Sequence, residues 1–527
     1  MAPSMPNNYE LEVVRSAKKG ESISKITTRD LNVDRDNDDL IRLGKRPVLK
    51  RNFGFMSILG FSCTILITWE GTLILFLSGF QNGGPAGVVY GYLLVWIGTL
   101  SVFATLSELV SMAPTSGGQY HWVSMLAPPS CAKFLSYITG WLTGLIALTV
   151  PDYNPQAFHG TLTFWAVILF GVFVNTVVSN QLPKFEGLIL ILHVLGFFAV
   201  LIPLVVLAPH GNSSDVFTVF LNGGGWPNQE LSFFVGLLGN VFAFIGADGA
   251  YHMSEEIHNP SIVVPRSIML SVILNGMMGF AMVIAVLFCL GDIDTVLATN
   301  TGYPFMEIFI QATHSVAGSA VMAAIVTMLA LCSTVGLLAS TSRMFWSFAR
   351  DRGLPGWKTL HKVNARTSVP IWSVAVTTVI SCLLALINIG SATAFNNIVS
   401  LSIVGLFTSY LLAAGLLLFR RLTGFIKLAS DSPTELVNTA NATIVWGPWH
   451  IRGILGVVNN TFACSYLIVI LFFSTWPPAT PVVPSTMNYS SLMLGAVIIF
   501  SIAYYLIYAR KEYQGPVLET EQPIYGS

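Results

Sequence analysis

Residues 242–260 read FAFIGADGAYHMSEEIHNP, and they pass within one stretch from an apolar membrane segment to a charged loop. Gly246, Asp248 and Gly249 interrupt what would otherwise be a continuous helix. Two glycines weaken a helix, and a carboxylate at membrane depth is costly unless it faces a wet cavity or a partner. In secondary transporters such breaks hold the substrate, because the freed backbone groups act as ligands. A kinked structural helix with a capped aspartate is the alternative interpretation.

The composition indicates an all-α polytopic membrane protein. Of the 527 residues 53% are hydrophobic and 10% are charged, with a mean hydropathy of +0.68. Soluble domains carry about 25% charged residues. The formal net charge of zero does not favour nucleic acid as a partner. The six cysteines have no CxxC spacing, so we interpret them as small core residues and expect no metal or other cofactor.

Apolar runs near the roughly 20 residues that cross a bilayer predict about twelve transmembrane helices. These segments are Phe55–Phe80, Val88–Met112, Phe134–Val150, Leu162–Val178, Leu188–Leu207, Leu231–Met253, Ser267–Leu290, Ala317–Met344, Ile371–Ile389, Phe395–Phe419, Ile454–Phe473 and Leu492–Tyr508. We expect residues 1–51 to form a disordered cytoplasmic tail, residues 52–510 the transmembrane domain and residues 511–527 a cytoplasmic C-terminal tail.

The distribution of basic residues supports this topology. All 26 Lys and Arg residues fall in the N-terminal tail, on or beside the even-numbered connections, or after the last segment. Cytoplasmic loops carry an excess of Lys and Arg, so both termini are expected on the cytoplasmic side. We expect the plasma membrane as the location, with the vacuole as the alternative.

Three spaced motifs carry a family resemblance. They are Gly117-Gly118-Gln119-Tyr120, the sixth-segment run already quoted, and the stretch Ser342–Pro355. Together they resemble the amino acid–polyamine–organocation superfamily and, more narrowly, the fungal choline and γ-aminobutyrate permeases. The resemblance covers residues 53–511. It implies an inverted-repeat fold in which segments one to five mirror six to ten, with segments one and six broken at the midplane.

The third segment departs from that pattern. Relatives carry a longer, Gly/Ala-rich third segment after a sequence like Gly140–Thr143, and by that resemblance roughly twenty residues, about one crossing, are absent here. A mis-spliced gene model or a skipped exon would account for the difference. Because this segment borders the substrate cavity in relatives, we expect its shortening to lower transport activity.

The first segment contains Thr68-Trp69-Glu70-Gly71, at the position where amino-acid-transporting relatives have a break formed by small residues. An ionised Glu70 would repel a substrate carboxylate and attract a cation. Trp69 could face a quaternary ammonium, a contact worth about 0.5–2 kcal/mol. The alternative is that Trp69 packs against a neighbour while Glu70 pairs with a polar group of the bundle.

The opposite wall of a substrate site would come from Phe244, Ile245, Gly246, Ala247 and Asp248. Phe244 is interpreted either as a gate above the substrate or as a core aromatic.

Two acids of the following loop, Glu255 and Glu256, are interpreted as an inner gate or a solvated cluster at the helix end.

His193 lies within the fifth segment. By resemblance, its position matches a buried lysine that replaces a sodium ion in some proton-driven relatives. A histidine titrates near pH 6.5, about the pH that would let it load a proton outside and release it inside. The sequence therefore predicts proton coupling through His193. A neutral histidine bonded in the bundle core is the alternative.

These observations predict a secondary active transporter that imports a small amine or amino acid, such as choline or γ-aminobutyrate, driven by protons. The sequence contains no HExxH, no GxSxG and no phosphate-binding glycine loop with Lys, so none of these catalytic motifs indicates an enzyme. A general amino-acid permease and a transporter-like nutrient sensor remain alternatives. The expected partners are a small-molecule substrate, protons and the lipid bilayer.

Overall fold

A computed structural model describes residues 28–144, 157–299, 303–386, 392–428, 436–484 and 486–519. Within these ranges the regular secondary structure is helical, and extended pairing is limited to isolated bridges such as that between Phe53 and Ile257. The predicted all-α class is therefore confirmed.

The main helices, in chain order, are α1 Thr28–Arg42, α2 Phe55–Leu66, α3 Thr68–Ile74, α4 Phe76–Met112, α5 Gln119–Leu126, α6 Ala132–Gly144, α7 Ala157–Thr176, α8 Leu182–Leu207, α9 Gln229–Phe242, α10 Gly249–His252, α11 Pro260–Phe288, α12 Pro304–Thr313, α13 Val316–Arg350, α14 Ile371–Ala385, α15 Ala392–Leu422, α16 Gly453–Ser474 and α17 Ser490–Tyr504. Short helices at Ser213–Thr218, Ile293–Leu297, Trp357–Leu360 and Arg510–Glu512 lie in the connections and near the C-terminus.

Each predicted transmembrane segment overlaps one of these helices. Eight helices in the described part are long and apolar enough to cross a membrane, and two shorter apolar ones, Gly160–Thr176 and Ile371–Ala385, accompany them. The predicted third segment begins as α6, and its remainder after Gly144 lies outside the described residues. The chain is thus a polytopic helical membrane protein.

We call the first and sixth predicted transmembrane segments helix 1 and helix 6. Helix 1 breaks at a single residue. Ile67 has φ 35° and ψ 44°, a left-handed conformation that is a genuine outlier for a β-branched residue. It ends α2, and α3 starts directly after it. The family resemblance predicts the break within Thr68–Gly71, but Trp69, Glu70 and Gly71 form the first turn of α3. Helical hydrogen bonding resumes here, because the amide of Gly71 donates 2.7 Å to the carbonyl of Ile67.

Helix 6 opens over a longer stretch, between the end of α9 at Phe242 and the start of α10 at Gly249. Gly246 has φ 113°, which side chains rarely adopt. A methyl group on Gly246 would lie 2.5 Å from Ile65 Cγ2, and one on Gly71 would lie 3.4 Å from Ala243 Cα. The two interrupted helices therefore touch each other at their breaks.

The N-terminal segment corrects the expectation of a fully disordered tail. Residues 1–27 lie outside the described residues, but α1 forms and the chain after it is docked. Arg51 donates to the carbonyls of Ile257 and Asp36, at 2.7 and 3.0 Å. Its polar composition does not stop this segment from folding, because its charges find partners on the helix bundle.

The break in helix 6 predicts a strong cost for any side chain at Gly246. Gly246→Ala forces a left-handed alanine against Ile65, and backbone strain of this kind costs roughly 1–3 kcal/mol before the clash is added. We expect a lower thermal midpoint for the detergent-solubilised variant. Gly187→Ala is the control, because a methyl group there meets nothing within 4 Å. Equal midpoints for the two variants would contradict the role of Gly246.

Candidate functional site

Three side chains join three helices in the middle of the bundle. His193 on α8 contacts Oε1 of Glu70 on α3 through Nδ1, at 2.7 Å. Its Nε2 lies 3.0 Å from Oδ1 of Asn275 on α11. All three residues are fully buried. The structure therefore brings together two residues that the sequence singled out separately, and it adds Asn275.

The hydrogen bonds that link Glu70, His193 and Asn275 fix the number of protons that these three side chains share. The amide nitrogen of Asn275 donates 3.1 Å to the carbonyl of Ser271, so Oδ1 is the atom that faces His193. Nε2 of His193 must then donate. A neutral imidazole with its hydrogen on Nε2 would point a lone pair at Glu70. The contact between His193 and Glu70 therefore requires a further proton, carried by either the imidazole or the carboxyl group.

In the first turn of α3, the ring of Trp69 is packed against neighbouring rings, whereas one carboxyl oxygen of Glu70 has no hydrogen-bond partner among the described residues. Trp69 packs against His193 and Phe197, with ring centroids 6.0 Å apart in both cases. This geometry agrees with the alternative interpretation, in which Trp69 packs against a neighbour. Oε2 of Glu70 is buried and has no hydrogen-bond partner among the described residues. An unpartnered carboxylate oxygen at this depth is the feature that a cationic ligand would satisfy.

Asp248 belongs to a second polar group, on the other broken helix. The residue is 3% exposed, and its carboxylate interacts with the side chains of Tyr410 and Gln119. His252 Nε2 lies 3.9 Å from it, beyond hydrogen-bond distance. The polar atoms of Tyr410 and Gln119 have no hydrogen-bond partner with standard geometry in the described chain, so the interaction with Asp248 is loose.

The other predicted wall residues are closely packed. Phe244 packs against Tyr92 with ring centroids 5.1 Å apart and the rings tilted by 53°, which is the arrangement of a core aromatic. Ala247 and Gly246 are buried. Phe244 and Ile245 line a cavity of about 10 Å³, roughly the volume of one water molecule. The structure therefore represents a closed state around the breaks.

Glu255 and Glu256 form ion pairs with helix α13. Both oxygens of Glu255 accept from Arg350, at 2.8 and 3.0 Å. Glu256 accepts 2.8 Å from Nε of Arg343. Burial raises the pKa of Glu255, but Arg350 outweighs burial and leaves it below its ordinary value. These acids are paired and buried, so the alternative of a solvated cluster is wrong.

An adjacent ion pair ties the N-terminal segment to the same place. Lys45 and Asp351 are both fully buried and lie 2.5 Å apart. Asp351 also accepts from the hydroxyl of Tyr120, at 2.8 Å, and from the amide of Val517, at 2.9 Å. Burial alone would raise the pKa of Asp351, but Lys45 and Arg350 hold it below its usual value of 3.8. We call Lys45, Glu255, Arg350 and Asp351 the terminal-face cluster.

A wide cleft lies at the other end of the bundle. Its volume is about 840 Å³, and its lining includes Pro85, Pro209, Leu290 and Val316. None of the predicted site residues lines it. Size would favour this cleft as the binding site, but Glu70, which has a buried carboxyl oxygen without a partner among the described residues, lies beside the break after α2, and we take that region as the candidate site.

Three important residues escaped the sequence interpretation. Asn275 is the only amide side chain of the seventh predicted segment, a signal that was available. Asp351 is the only acid among residues 343–366, a run that is otherwise rich in Lys and Arg. Lys45 gave no local signal, because it lies more than 300 positions from its partner.

Comparison with known proteins identifies the class. The family model described as "Amino acid permease" matches residues 53–499. The chain belongs to the amino acid permease family. This result confirms the resemblance to amino acid–polyamine–organocation permeases, and the family consists of transporters rather than enzymes.

Two curated permeases show the extent of the similarity. The choline transporter of Saccharomyces cerevisiae is 28% identical over 94% of this chain and 88% of its own length. Amino-acid permease BAT1 of Arabidopsis thaliana is 28% identical over 91% of this chain and 95% of its own. The similarity of this permease to its relatives therefore extends over the whole transporter domain.

The terminal-face cluster predicts a large stability effect for Asp351→Asn. The variant leaves the ammonium group of Lys45 buried without its counter-charge, a change that costs about 3–5 kcal/mol. We expect a marked drop in the thermal midpoint of the purified permease at neutral pH. Asp38→Asn, at an exposed position of α1, is the matched control and should unfold like the wild type. A similar small shift in both variants would rule out a strong ion pair.

Proposed function

We propose that this permease imports a small organic cation or amine, of the choline or γ-aminobutyrate type, and couples its uptake to protons. The observation that carries the proposal is the chain of Glu70, His193 and Asn275, with one oxygen of Glu70 left unpartnered. The carboxylate offers the free oxygen to the positive group of the substrate. The printed name of the yeast relative, choline transporter, supports the same class of substrate.

The coupling follows from the proton count in the closed state. The hydrogen bond between Glu70 and His193 holds one proton and joins α3 to α8. Loss of that proton would leave an imidazole lone pair facing a carboxylate, which is repulsive, so the two helices would separate. A cationic substrate at the free oxygen of Glu70 favours the ionised carboxylate and hence the proton on His193. Substrate and proton are thereby bound together.

Transport direction follows from topology. The positively charged connections and both termini would face the cytoplasm. The terminal-face cluster then closes the cytoplasmic side, where Glu255 and Glu256 serve as the inner gate through Arg350 and Arg343. The plasma membrane is the proposed location, which makes the protein an importer of external solute.

Removal of the Glu70 charge tests the substrate class. In a strain that lacks its own permeases, Glu70→Gln should raise the KM for labelled choline about 30-fold, because a hydrogen bond to a charged group is worth about 2 kcal/mol. Competition by γ-aminobutyrate and by common amino acids ranks the alternatives. Glu230→Gln, which changes an exposed acid, is the control. An unchanged KM would refute the binding role, and absence of any uptake by the wild type would favour the sensor alternative.

Substitution of His193 tests the coupling. His193→Gln keeps an amide that can donate to Asn275 but cannot titrate near neutrality. We expect uptake by this variant to become insensitive to external pH and to a proton uncoupler. His210→Gln removes an exposed histidine at the opposite end of the bundle and should keep the wild-type pH profile. A wild-type profile in His193→Gln would exclude His193 as the proton carrier.

A further inference from the structure

A second buried acid, Glu186, has no role in the mechanism above. It lies in the second turn of α8 and is fully buried. Neither of its carboxyl oxygens has a hydrogen-bond partner among the described residues. An ionised carboxylate in such a place is strongly disfavoured unless a cation or several donors compensate it. The packing of this region therefore depends on how Glu186 is neutralised.

The surroundings of Glu186 offer an acceptor rather than a donor. Helix α2 approaches α8 so closely that a methyl group on Gly60 would lie 2.4 Å from the backbone oxygen of Glu186. Thr64 lies beside the carboxyl group, but its hydroxyl donates 2.7 Å to the carbonyl of Gly60. The free lone pair of the Thr64 oxygen can accept a hydrogen bond from Glu186 only when the carboxyl group of Glu186 is protonated.

No described cation compensates Glu186. Among the titratable groups of the helices packed against α8, the thiol of Cys332 on α13 interacts with Glu186. The remaining ones are engaged or directed elsewhere: Glu70 pairs with His193, Arg343 with Glu256, Arg350 with Glu255, Glu307 with Gln311, Cys63 interacts with Asn275, and Arg266 is exposed. On α8 itself, Lys184 is exposed and His193 contacts Glu70 and Asn275.

We propose that Glu186 is a second protonation site, whose proton holds the first half of helix 1 against α8. The proposal extends the proton coupling proposed above and rests on it. His193 follows Glu186 by seven residues, about 10 Å along the helix axis. The two sites therefore lie on one helix, and Glu186 is nearer the end of the bundle that carries the terminal-face cluster.

The proposed step is a simple proton transfer. The carboxyl group of Glu186 gives its proton to water, and the carboxylate that remains needs hydration. Separation of α2 from α8 would admit that water, because the two helices are in close backbone contact at Gly60 and Glu186 is fully buried. Deprotonation thus favours opening on the side that carries the termini, and protonation favours the closed packing observed here.

Infrared spectroscopy of the purified permease tests the protonation state without any transport. The carbonyl stretch of a buried protonated carboxyl group should be present at neutral pH in the wild type. It should disappear in Glu186→Gln and remain in Glu230→Gln. Thr64→Val removes the acceptor while keeping the side-chain shape, so it should shift this band. If no band depends on Glu186, or if sodium alone changes the spectrum, the residue is ionised or binds a metal and the proposal is wrong.

Transport in reconstituted vesicles tests the coupling role. Glu186→Gln mimics the neutral acid, so it should keep the substrate exchange of the wild type but lose proton-driven accumulation at least tenfold. His193→Gln should lose its pH response while keeping the infrared band of Glu186, which separates the two sites. Concentrative uptake by Glu186→Gln at the wild-type level would overturn the coupling role.

A labelling experiment covers the case in which Glu186→Gln fails to fold. A hydrophobic carbodiimide reacts with protonated carboxyl groups within the membrane. Mass spectrometry of the labelled wild-type protein should locate the adduct on Glu186, and labelling should fall as the pH is raised. Absence of an adduct at any pH would show that the carboxyl group is not protonated, whether or not the protein transports choline.

Discussion

The rest of the structure depends on the constraint that an ionisable group inside the bilayer must be paired, protonated or bound to a ligand. Glu70 meets it through a hydrogen bond with His193 that holds one proton, and its second carboxyl oxygen has no hydrogen-bond partner within the described ranges. Water is excluded around these groups, so a change in protonation alters the free energy of packing directly. Helix packing and proton binding therefore become the same equilibrium.

The broken helices make this equilibrium useful. Helix 1 turns at Ile67, and the next residues form the first turn of α3, which carries Trp69 and Glu70 toward α8. Helix 6 opens between Phe242 and Gly249, and its glycine backbone allows the two breaks to touch. Contacts across the breaks are small and replaceable, whereas the ion pairs of the terminal-face cluster are strong. One end of the bundle is thus firmly closed, and under the proposed function the middle is the part that responds to protons and ligand.

The sequence predicted a large part of this arrangement. Apolar length and the placement of Lys and Arg gave the helices, because the bilayer imposes both rules on the chain itself. The glycines near Asp248 gave the helix 6 break. The helix 1 break lies at Ile67, one residue before the expected stretch Thr68–Gly71, because no local signal marks a β-branched residue for a left-handed conformation. The folded N-terminal segment was missed, because a charged stretch orders only when distant partners neutralise it.

The sequence by itself determined the family, the helical class and the presence of acids and a histidine at membrane depth, because these follow from local composition and motifs. Only the tertiary structure decided that His193 pairs with Glu70 and Asn275, and that the carboxyl group of Glu186 has no hydrogen-bond partner in the described part of the chain. Protonation depends on which atoms lie within about 3 Å of one another, a distance that hydrogen bonding sets. Residues from three helices meet at that distance only after the bundle has formed.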